Sequence, residues 1–371
     1  MFEKFKTPAE LIPSDPRFGC GPSLVPMKYV ESLAKTGPHL IGTSHRKKAV
    51  KKLVEEVQTG FAKYFNIPTG YQVVLGNGGA TLLFDMVALG LVKKKIAHFT
   101  CGEFSNKWYK SSKAVPWISA QEISVEVGNG ILVNDVPDAD VICGTLNETS
   151  TGVQLPELPK VHEGALLAID ATSGAGQVKC DVSKCDVFLF SPQKVFASEG
   201  GLWIAIMSPK ALARAKEIYE DKSRYIPAIL SWKEAISNSE KNQTYNTPAI
   251  APIYFLNEQL KEMNKLGYSK VCELAEAKAK LLYSWAEAKP YLSTYIKEDK
   301  FRSRAVATID VDAKYKVDDL IAVLEKEKSV YGIDAYRNLG RNQFRIALFH
   351  NIKYEDLEKL TKLISLAIEK Y

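Results

Sequence analysis

The sequence predicts an α/β fold: a large, mostly parallel sheet with helices on both faces, followed by a smaller C-terminal α+β unit. Three observations predict it. Short apolar runs alternate with helical patterns across residues 19–207. A glycine-rich turn joins one of those runs directly to a helix, and beyond Pro248 the pattern changes to a long helical stretch followed by further strands and helices. Alternation of strand and helix implies parallel strands, because a parallel pair needs a crossover long enough to return to the same edge of the sheet.

Each element supports that reading in turn. Residues 71–75 read as a strand that runs into Gly76-Asn77-Gly78-Gly79-Ala80-Thr81 and then into the helical pattern of residues 82–91. Residues 96–99, 141–144, 166–170, 187–190 and 202–207 are apolar runs of strand length, as strands covered on both faces require. A long helical stretch then leads through Lys261 and Trp285 to a strand at 305–311, a helix at 317–324, a strand at 343–349 and an amphipathic helix at 357–368. In that last strand Phe344, Ile346 and Leu348 alternate with Arg345, so Arg345 should point away from the face the other three bury. The expected division is a large domain over residues 18–255 and a small C-terminal domain over residues 256–371, with residues 1–17 packed on the latter. No repeat or low-complexity linker separates them, so close packing is expected.

At 371 residues the chain exceeds what one core usually serves. Its 46% hydrophobic and 25% charged residues are ordinary for a soluble globular protein. No apolar run approaches the roughly 18–20 residues that span a bilayer, and residues 1–17, with Glu3, Glu10 and Asp15, lack a signal-peptide core. A cytoplasmic protein without a membrane partner is expected. The net charge of +6, from 49 basic and 43 acidic residues, is scattered in clusters such as Arg46-Lys47-Lys48 and Lys93-Lys94-Lys95. That distribution suits solvated helix faces rather than a nucleic-acid surface, while a mild positive field still draws in small dianions. The six cysteines show no C-x-x-C spacing, and Cys180 and Cys185 lack neighbouring histidines. Buried reduced thiols are therefore expected, with neither disulfides nor a metal site.

The chemistry is carried by three strand ends. Ser191-Pro192-Gln193-Lys194 lies between two apolar runs and so places a lysine at the end of a buried strand. Burial disfavours the ammonium and leaves a nucleophilic amine able to condense with a carbonyl, most usefully that of pyridoxal phosphate. A lysine that snorkels into solvent is the alternative when the residue is viewed alone. The turn at residues 76–81 is a phosphate seat: its glycines allow close backbone approach, the helix start offers unpaired N–H groups, and Thr81 adds a hydroxyl. A dinucleotide-binding turn is disfavoured because Thr81 occupies the third glycine position of G-x-G-x-x-G. The run at 165–170 ends in Asp170, and a carboxylate beside a pyridine nitrogen keeps that nitrogen protonated, making the ring an electron sink. Alone, Asp170 could equally be a turn or cap residue. The order of glycine-rich turn, strand-end acid and strand-end lysine is more telling than any one of them.

With these residues in place, the chain resembles the fold-type I pyridoxal-phosphate enzymes, and within them the phosphoserine aminotransferase family. The resemblance runs from the opening segment to the C-terminus. It is carried by Phe18-Gly19-Cys20-Gly21-Pro22, Gly42-Thr43-Ser44-His45-Arg46, the glycine-rich turn, Gly102-Glu103-Phe104-Ser105, Asn147-Glu148-Thr149-Ser150-Thr151-Gly152, Asp170-Ala171-Thr172-Ser173, Ser191-Pro192-Gln193-Lys194 and Asn242-Gln243-Thr244-Tyr245-Asn246-Thr247-Pro248.

The resemblance implies pyridoxal 5'-phosphate as cofactor, held covalently by Lys194, with Lys194 also shuttling the proton at the substrate α-carbon. It implies that Ala80 and Thr81 bind the cofactor phosphate, Phe104 stacks on the ring, Thr149 contacts the ring hydroxyl region, and Gln193 adds a polar contact. Asn246 and Thr247 resemble the phosphate ligands that this family donates from a neighbouring subunit, so a homodimer with sites at the subunit interface is implied. His45 and Arg46 resemble the pair that reaches across the dimer to the distal anion of the substrate, and Arg345 the arginine that grips the α-carboxylate. Arginine suits both anions because its planar fork pairs bidentately with carboxylate and phosphate. The sequence departs from the better-known pattern at Thr81, where many members carry arginine, at Phe104, where many carry tryptophan, and at Tyr336-Arg337, where many carry His-Arg. A shorter branch of the family shares the Thr and Phe. These departures leave phosphate recognition one charge short, and Arg337 or Arg341 is expected to supply it.

The activity this implies is transamination between O-phospho-L-serine and 2-oxoglutarate, giving 3-phosphohydroxypyruvate and L-glutamate in L-serine biosynthesis, with a further role in pyridoxine biosynthesis in some bacteria. The nearest alternative is a serine or alanine transaminase using glyoxylate or pyruvate on the same fold. A cysteine desulfurase commonly has a histidine before the lysine, where Gln193 stands, and a cofactor-binding regulator would need a DNA-binding domain for which no length remains.

Overall fold

A computed structural model of the chain describes Phe2 and residues 5–370. The first nine strands are β1 (Gln72–Asn77), β2 (Lys95–Thr100), β3 (Ser119–Ser124), β4 (Val141–Thr145), β5 (Asn147–Glu148), β6 (Val153–Gln154), β7 (Leu166–Asp170), β8 (Val187–Phe190) and β9 (Leu202–Met207). Seven of them form one sheet in the order β1-β9-β8-β7-β4-β2-β3, and β5 and β6 pair separately. The pairs β2·β3, β2·β4, β4·β7 and β7·β8 are parallel. Strand β9 alone runs against the rest, antiparallel to both β8 and β1. The physical reason lies in its connection: residues 191–201 hold no helix, and without a crossover the chain can only turn back beside β8.

Side-chain alternation along these strands sorts the apolar residues into two separate cores. Val73, Leu75, Leu167, Ile169, Phe188 and Phe190 enter one, whereas Val74, Leu166, Ala168, Val187 and Leu189 enter the other. Both faces are therefore covered, which is why the strands read as unbroken apolar runs. The helices that cover them are α1 (Met27–Thr36), α2 (Lys48–Tyr64), α3 (Ala80–Leu91), α4 (Glu103–Lys113), α5 (Pro209–Glu220), α6 (Trp232–Ser239) and α7 (Ile250–Leu266). Helices α2 and α7 contribute Val54, Phe61, Ile253 and Leu260 to the first core. Helices α3, α5 and α6 contribute Leu83, Met86, Ala215 and Trp232 to the second. Helix α5 begins where Ser208 accepts from the Ala211 N–H, with Pro209 at the first helical position.

The helical stretch after Pro248 is two helices rather than one, α7 and then α8 (Tyr268–Glu287). Gly267 separates them at φ 85° and ψ 148°, a conformation that only glycine adopts readily. Beyond α8, strands β10 (Leu292–Thr294), β11 (Val306–Val311) and β12 (Gln343–Ala347) form an antiparallel sheet with α9 (Val317–Lys326) and α10 (Tyr354–Glu369). Phe344 and Ile346 are fully buried while Arg345 between them is only partly so, as the alternation predicts. The first core continues from the large sheet into this second one. The N-terminal segment lies on the same unit, where Ser14 bonds Asp356 at the start of α10 through its N–H at 2.6 Å and its hydroxyl at 2.7 Å. Among the described residues no helix is long and apolar enough to cross a membrane.

Candidate active site

A cavity of about 360 Å³ lies where β4, β7 and β8 end and α3 begins. Ala80, Thr81, Phe104, Thr149, Asp170, Gln193 and Lys194 all line it, so residues spread over more than a hundred positions meet in one place. Open α/β sheets collect ligands at such strand ends because the loops there diverge and the helix starts point inward.

Lys194 is 9% exposed. Its ammonium donates to the Cys20 carbonyl at 2.7 Å and stands 5.6 Å from the centre of the Phe104 ring. Burial lowers its pKa to about 8; the nearby Arg345 charge acts in the same direction, while Cys20, Asp170 and Glu148 oppose it. The loop 20–23 holds this lysine from three sides. The Ser23 N–H bonds the Gln193 carbonyl at 2.7 Å, and its hydroxyl bonds the Lys194 carbonyl at 2.6 Å. Gly21, at φ 130°, is required: a Cβ there would lie 2.7 Å from both Cε and Nζ of Lys194.

Asp170 closes β7 and is 4% exposed. Its Oδ1 accepts from the Thr172 N–H at 3.0 Å and the Thr172 hydroxyl at 2.6 Å. Burial raises its pKa to about 6, the Thr172 bonds hold it down, Glu148 adds to the rise and Lys194 opposes it. The acid and the amine thus face one cavity with their pKa values drawn toward neutrality from opposite sides.

The rest of the lining fits an anionic aromatic ligand. Helix α3 begins after Gly79 without a side-chain cap, leaving its first amides to the cavity beside the Thr81 hydroxyl. Gln193 Oε1 is buried with no hydrogen-bond partner among the described residues, an acceptor that asks for a donor from a ligand. Ser173 ties the opposite wall: its hydroxyl accepts from Asn147 Nδ2 at 2.7 Å and the Thr149 hydroxyl at 2.8 Å, and donates to the Asn147 carbonyl. At the mouth the Phe104 ring meets the Tyr336 ring edge-on at 5.8 Å. The Arg345 guanidinium lies 5.2 Å from the centre of the Tyr336 ring and donates to the Thr149 carbonyl at 3.3 Å.

Other expected residues stand elsewhere in this chain. Arg46, Asn246 and Thr247 are exposed and His45 is half-buried, and none of the four lines the cavity. They form a cluster of their own: His45 Nδ1 is 3.2 Å from the Thr247 hydroxyl, and Asn77 Nδ2 donates to Asn246 Oδ1 at 2.8 Å. Partial burial and then the Arg46 charge lower the His45 pKa. Arg337 and Arg341 line a neighbouring hollow of about 530 Å³. Arg341 pairs bidentately with Asp310 at 3.0 and 2.6 Å and stacks over Tyr295 at 4.3 Å.

Sequence reasoning assigned no role to Cys20, Gly21, Ser23, Glu148, Ser173 or Tyr336, although all but Ser23, which follows directly on one of them, lie in the motifs quoted for the resemblance or its departures. Their signal was proximity to glycine or to an expected ligand. What each one holds is a partner that becomes its neighbour only on folding.

Residues 25–331 match the aminotransferase class-V family. A phosphoserine aminotransferase of Corynebacterium glutamicum (strain R) is 44% identical over 365 residues, covering 98% of this chain and 96% of that protein. Among solved structures, a phosphoserine aminotransferase from Cytophaga hutchinsonii superposes with a TM-score of 0.86 at 23% identity, covering 95% of this chain and 98% of that one. A PLP-bound phosphoserine aminotransferase from Trichomonas vaginalis gives 0.80 at 21% identity, covering 94% and 99%. Likeness at these identities speaks for the shared fold.

Proposed function

The chain belongs to the class-V aminotransferase family, and from that premise we propose that it removes the amino group of O-phospho-L-serine with pyridoxal 5'-phosphate as cofactor, a step of L-serine biosynthesis. The proposed acceptor is 2-oxoglutarate, giving 3-phosphohydroxypyruvate and L-glutamate. The observation that carries the reading is the buried Lys194 amine, with its pKa lowered to about 8, sharing a cavity with buried Asp170 and the open start of α3.

Bound there, the cofactor supplies an aldehyde for the substrate amine and a ring that takes up the electrons left at the α-carbon. The side chains divide the remaining work. With a pKa of about 8, roughly a tenth of Lys194 is a neutral amine at pH 7, against a negligible fraction for an exposed lysine. That neutral amine is the group proposed to carry the proton to and from the α-carbon. Asp170, at about 6, is mostly ionised at neutral pH and is proposed to hold the ring nitrogen protonated. The α3 amides and Thr81 would hold the phosphate, Phe104 the ring face, and Thr149 and Gln193 its polar edge.

Arg345, within reach of Lys194 and bonded to the Thr149 carbonyl, is proposed to take the α-carboxylate. For the distal phosphate, Arg337 is preferred over Arg341, whose guanidinium is already committed to Asp310 and Tyr295. A homodimer is proposed to complete the site with His45, Arg46, Asn246 and Thr247 of a second copy. The exposure of Ile229 and Tyr245 beside Asn246 supports it, since such apolar side chains favour a covered face. The proposed domains are 18–255 and 256–371, with 1–17 on the latter and the boundary falling inside α7, and the proposed location is cytoplasmic.

The test is spectroscopic. Reconstituted with pyridoxal phosphate, the protein is expected to show a visible band near about 400 nm that phosphoserine discharges and 2-oxoglutarate restores. Borohydride should fix the label on Lys194. Discharge by alanine or serine but not by phosphoserine would overturn the substrate, and a label at another position would overturn the site.

A further inference from the structure

Glu148 sits between two walls of the cavity, is fully buried, and pairs with no cation among the described residues within ion-pair distance. A buried carboxylate in that position survives only if hydrogen bonds replace its hydration. Five do. Oε1 accepts from the Phe104 N–H at 3.3 Å, the Ser150 N–H at 3.2 Å and the Ser150 hydroxyl at 2.6 Å. Oε2 accepts from the Ser105 N–H and the Ser105 hydroxyl, both at 2.9 Å.

The donors come from two segments. Phe104 and Ser105 open α4, whose N-cap is Gly102, a residue with no side chain to satisfy the first amides. Glu148 caps that helix from outside, with its negative charge at the positive end of the dipole. A cap on the chain itself is excluded by space, because a Cβ at Gly102 would lie 2.4 Å from Glu148 Cγ and 2.6 Å from Ser150 Oγ. The Ser150 bonds fold residues 148–150 around the same carboxylate. Between them lies Thr149, whose hydroxyl donates to Ser173 and whose carbonyl accepts from Arg345.

We infer that Glu148 is a positioning residue that fixes the Phe104 ring and the Thr149 hydroxyl relative to each other on the two sides of the ligand. This rests on the proposed cofactor, and it concerns a side chain that touches neither cofactor nor substrate. A carboxylate rather than an amide is required, because each of its two oxygens faces at least one backbone N–H, which can only donate. Glutamine would turn its own NH₂ toward N–H groups and leave one of the two sides unheld.

The experiment compares wild type with E148Q and S105A in three readouts: the dissociation constant for pyridoxal phosphate, the visible circular dichroism of the bound chromophore, and kcat against KM for phosphoserine. Loss of a charge-assisted set predicts about 10- to 100-fold weaker cofactor binding in E148Q, altered visible dichroism, and a fall in kcat with KM changed by less than about 3-fold. S105A, which removes one of the five bonds together with the acceptor of the Cys101 and Gly102 N–H groups, is expected to weaken cofactor binding by roughly 2- to 5-fold. A structural role alone would lower the melting temperature yet leave affinity, dichroism and kcat of the folded holoprotein at wild-type values, and that result overturns the inference. If E148Q does not fold, S105A decides: wild-type affinity and dichroism overturn the inference and weakened binding supports it. Failure of the wild-type protein to bind pyridoxal phosphate overturns the function instead, so the two failures are distinct.

Discussion

Lys194 and Asp170 are 9% and 4% exposed and are held by bonds from their own chain, whereas Arg46, Asn246 and Thr247 stand in solvent, held but not covered. The two regions serve different physics. A group that must exchange a proton near neutral pH, the role proposed for Lys194, needs burial, because desolvation is what moves the pKa of the lysine down; the same desolvation moves that of Asp170 up. A group that grips a dianion needs its charge intact until the ligand arrives, and exposure preserves it. In water such a contact is weak, so the exposed cluster gains strength only when a second surface excludes solvent from it. The second copy proposed above would supply such a surface.

The sharpest way to break this comparison is to remove each region from a different subunit. K194A is expected to lower kcat by on the order of 10⁴-fold or more, measured by single-turnover absorbance change. Co-expressed K194A and R46A should nevertheless recover activity, since a mixed dimer holds one site with both residues intact and random pairing gives about a quarter of wild-type sites. No recovery, with mixed dimers shown to be present, would mean that the exposed cluster serves its own chain or none.

A smaller effect belongs to the arginine beside Thr149 and Tyr336. R345A is expected to cost about 10- to 100-fold in kcat/KM for amino and keto substrates alike, because both carry an α-carboxylate. R337A should act on phosphoserine and spare unphosphorylated serine. Equal losses for both substrates with R337A would return the phosphate to Arg341.

The smallest expected effect is on the pH dependence of the cofactor-free protein. Asp170 has its pKa raised from 3.8 to about 6, so across that window the folded chain keeps a proton that the unfolded chain has released. Its contribution to stability is therefore full below the unfolded value and is lost as pH rises through the folded one, by at most about 3 kcal/mol. Denaturant unfolding at pH 4 to 7 should show this slope in wild type and not in D170N. An unchanged slope in D170N would assign it to another group.

Much of this molecule was legible before folding was considered. The two-residue period of the strands, the glycines at 76, 78 and 79 and the strand-end positions of Asp170 and Lys194 are local patterns, and local patterns follow from steric and hydrophobic rules within a few residues. The reversed direction of β9 within the large sheet and the break at Gly267 were less visible. The first depends on where a helix-free connection can return, and the second on one glycine inside an otherwise continuous apolar period. The cavity residues from Ala80 to Lys194 were named from sequence, but the seat of the lysine was not.

That seat is a long-range matter. Cys20 and Lys194 are 174 positions apart, and Glu148 and Ser105 are 43, yet each pair meets at hydrogen-bond distance. The sequence by itself determined which residue types stand at the strand ends and helix starts, because periodicity and turn chemistry are written along the chain. Only the tertiary structure decided which carbonyl receives the lysine, which carboxylate caps α4, and which cations remain in solvent, because burial and hydrogen-bond satisfaction are properties of the packed whole.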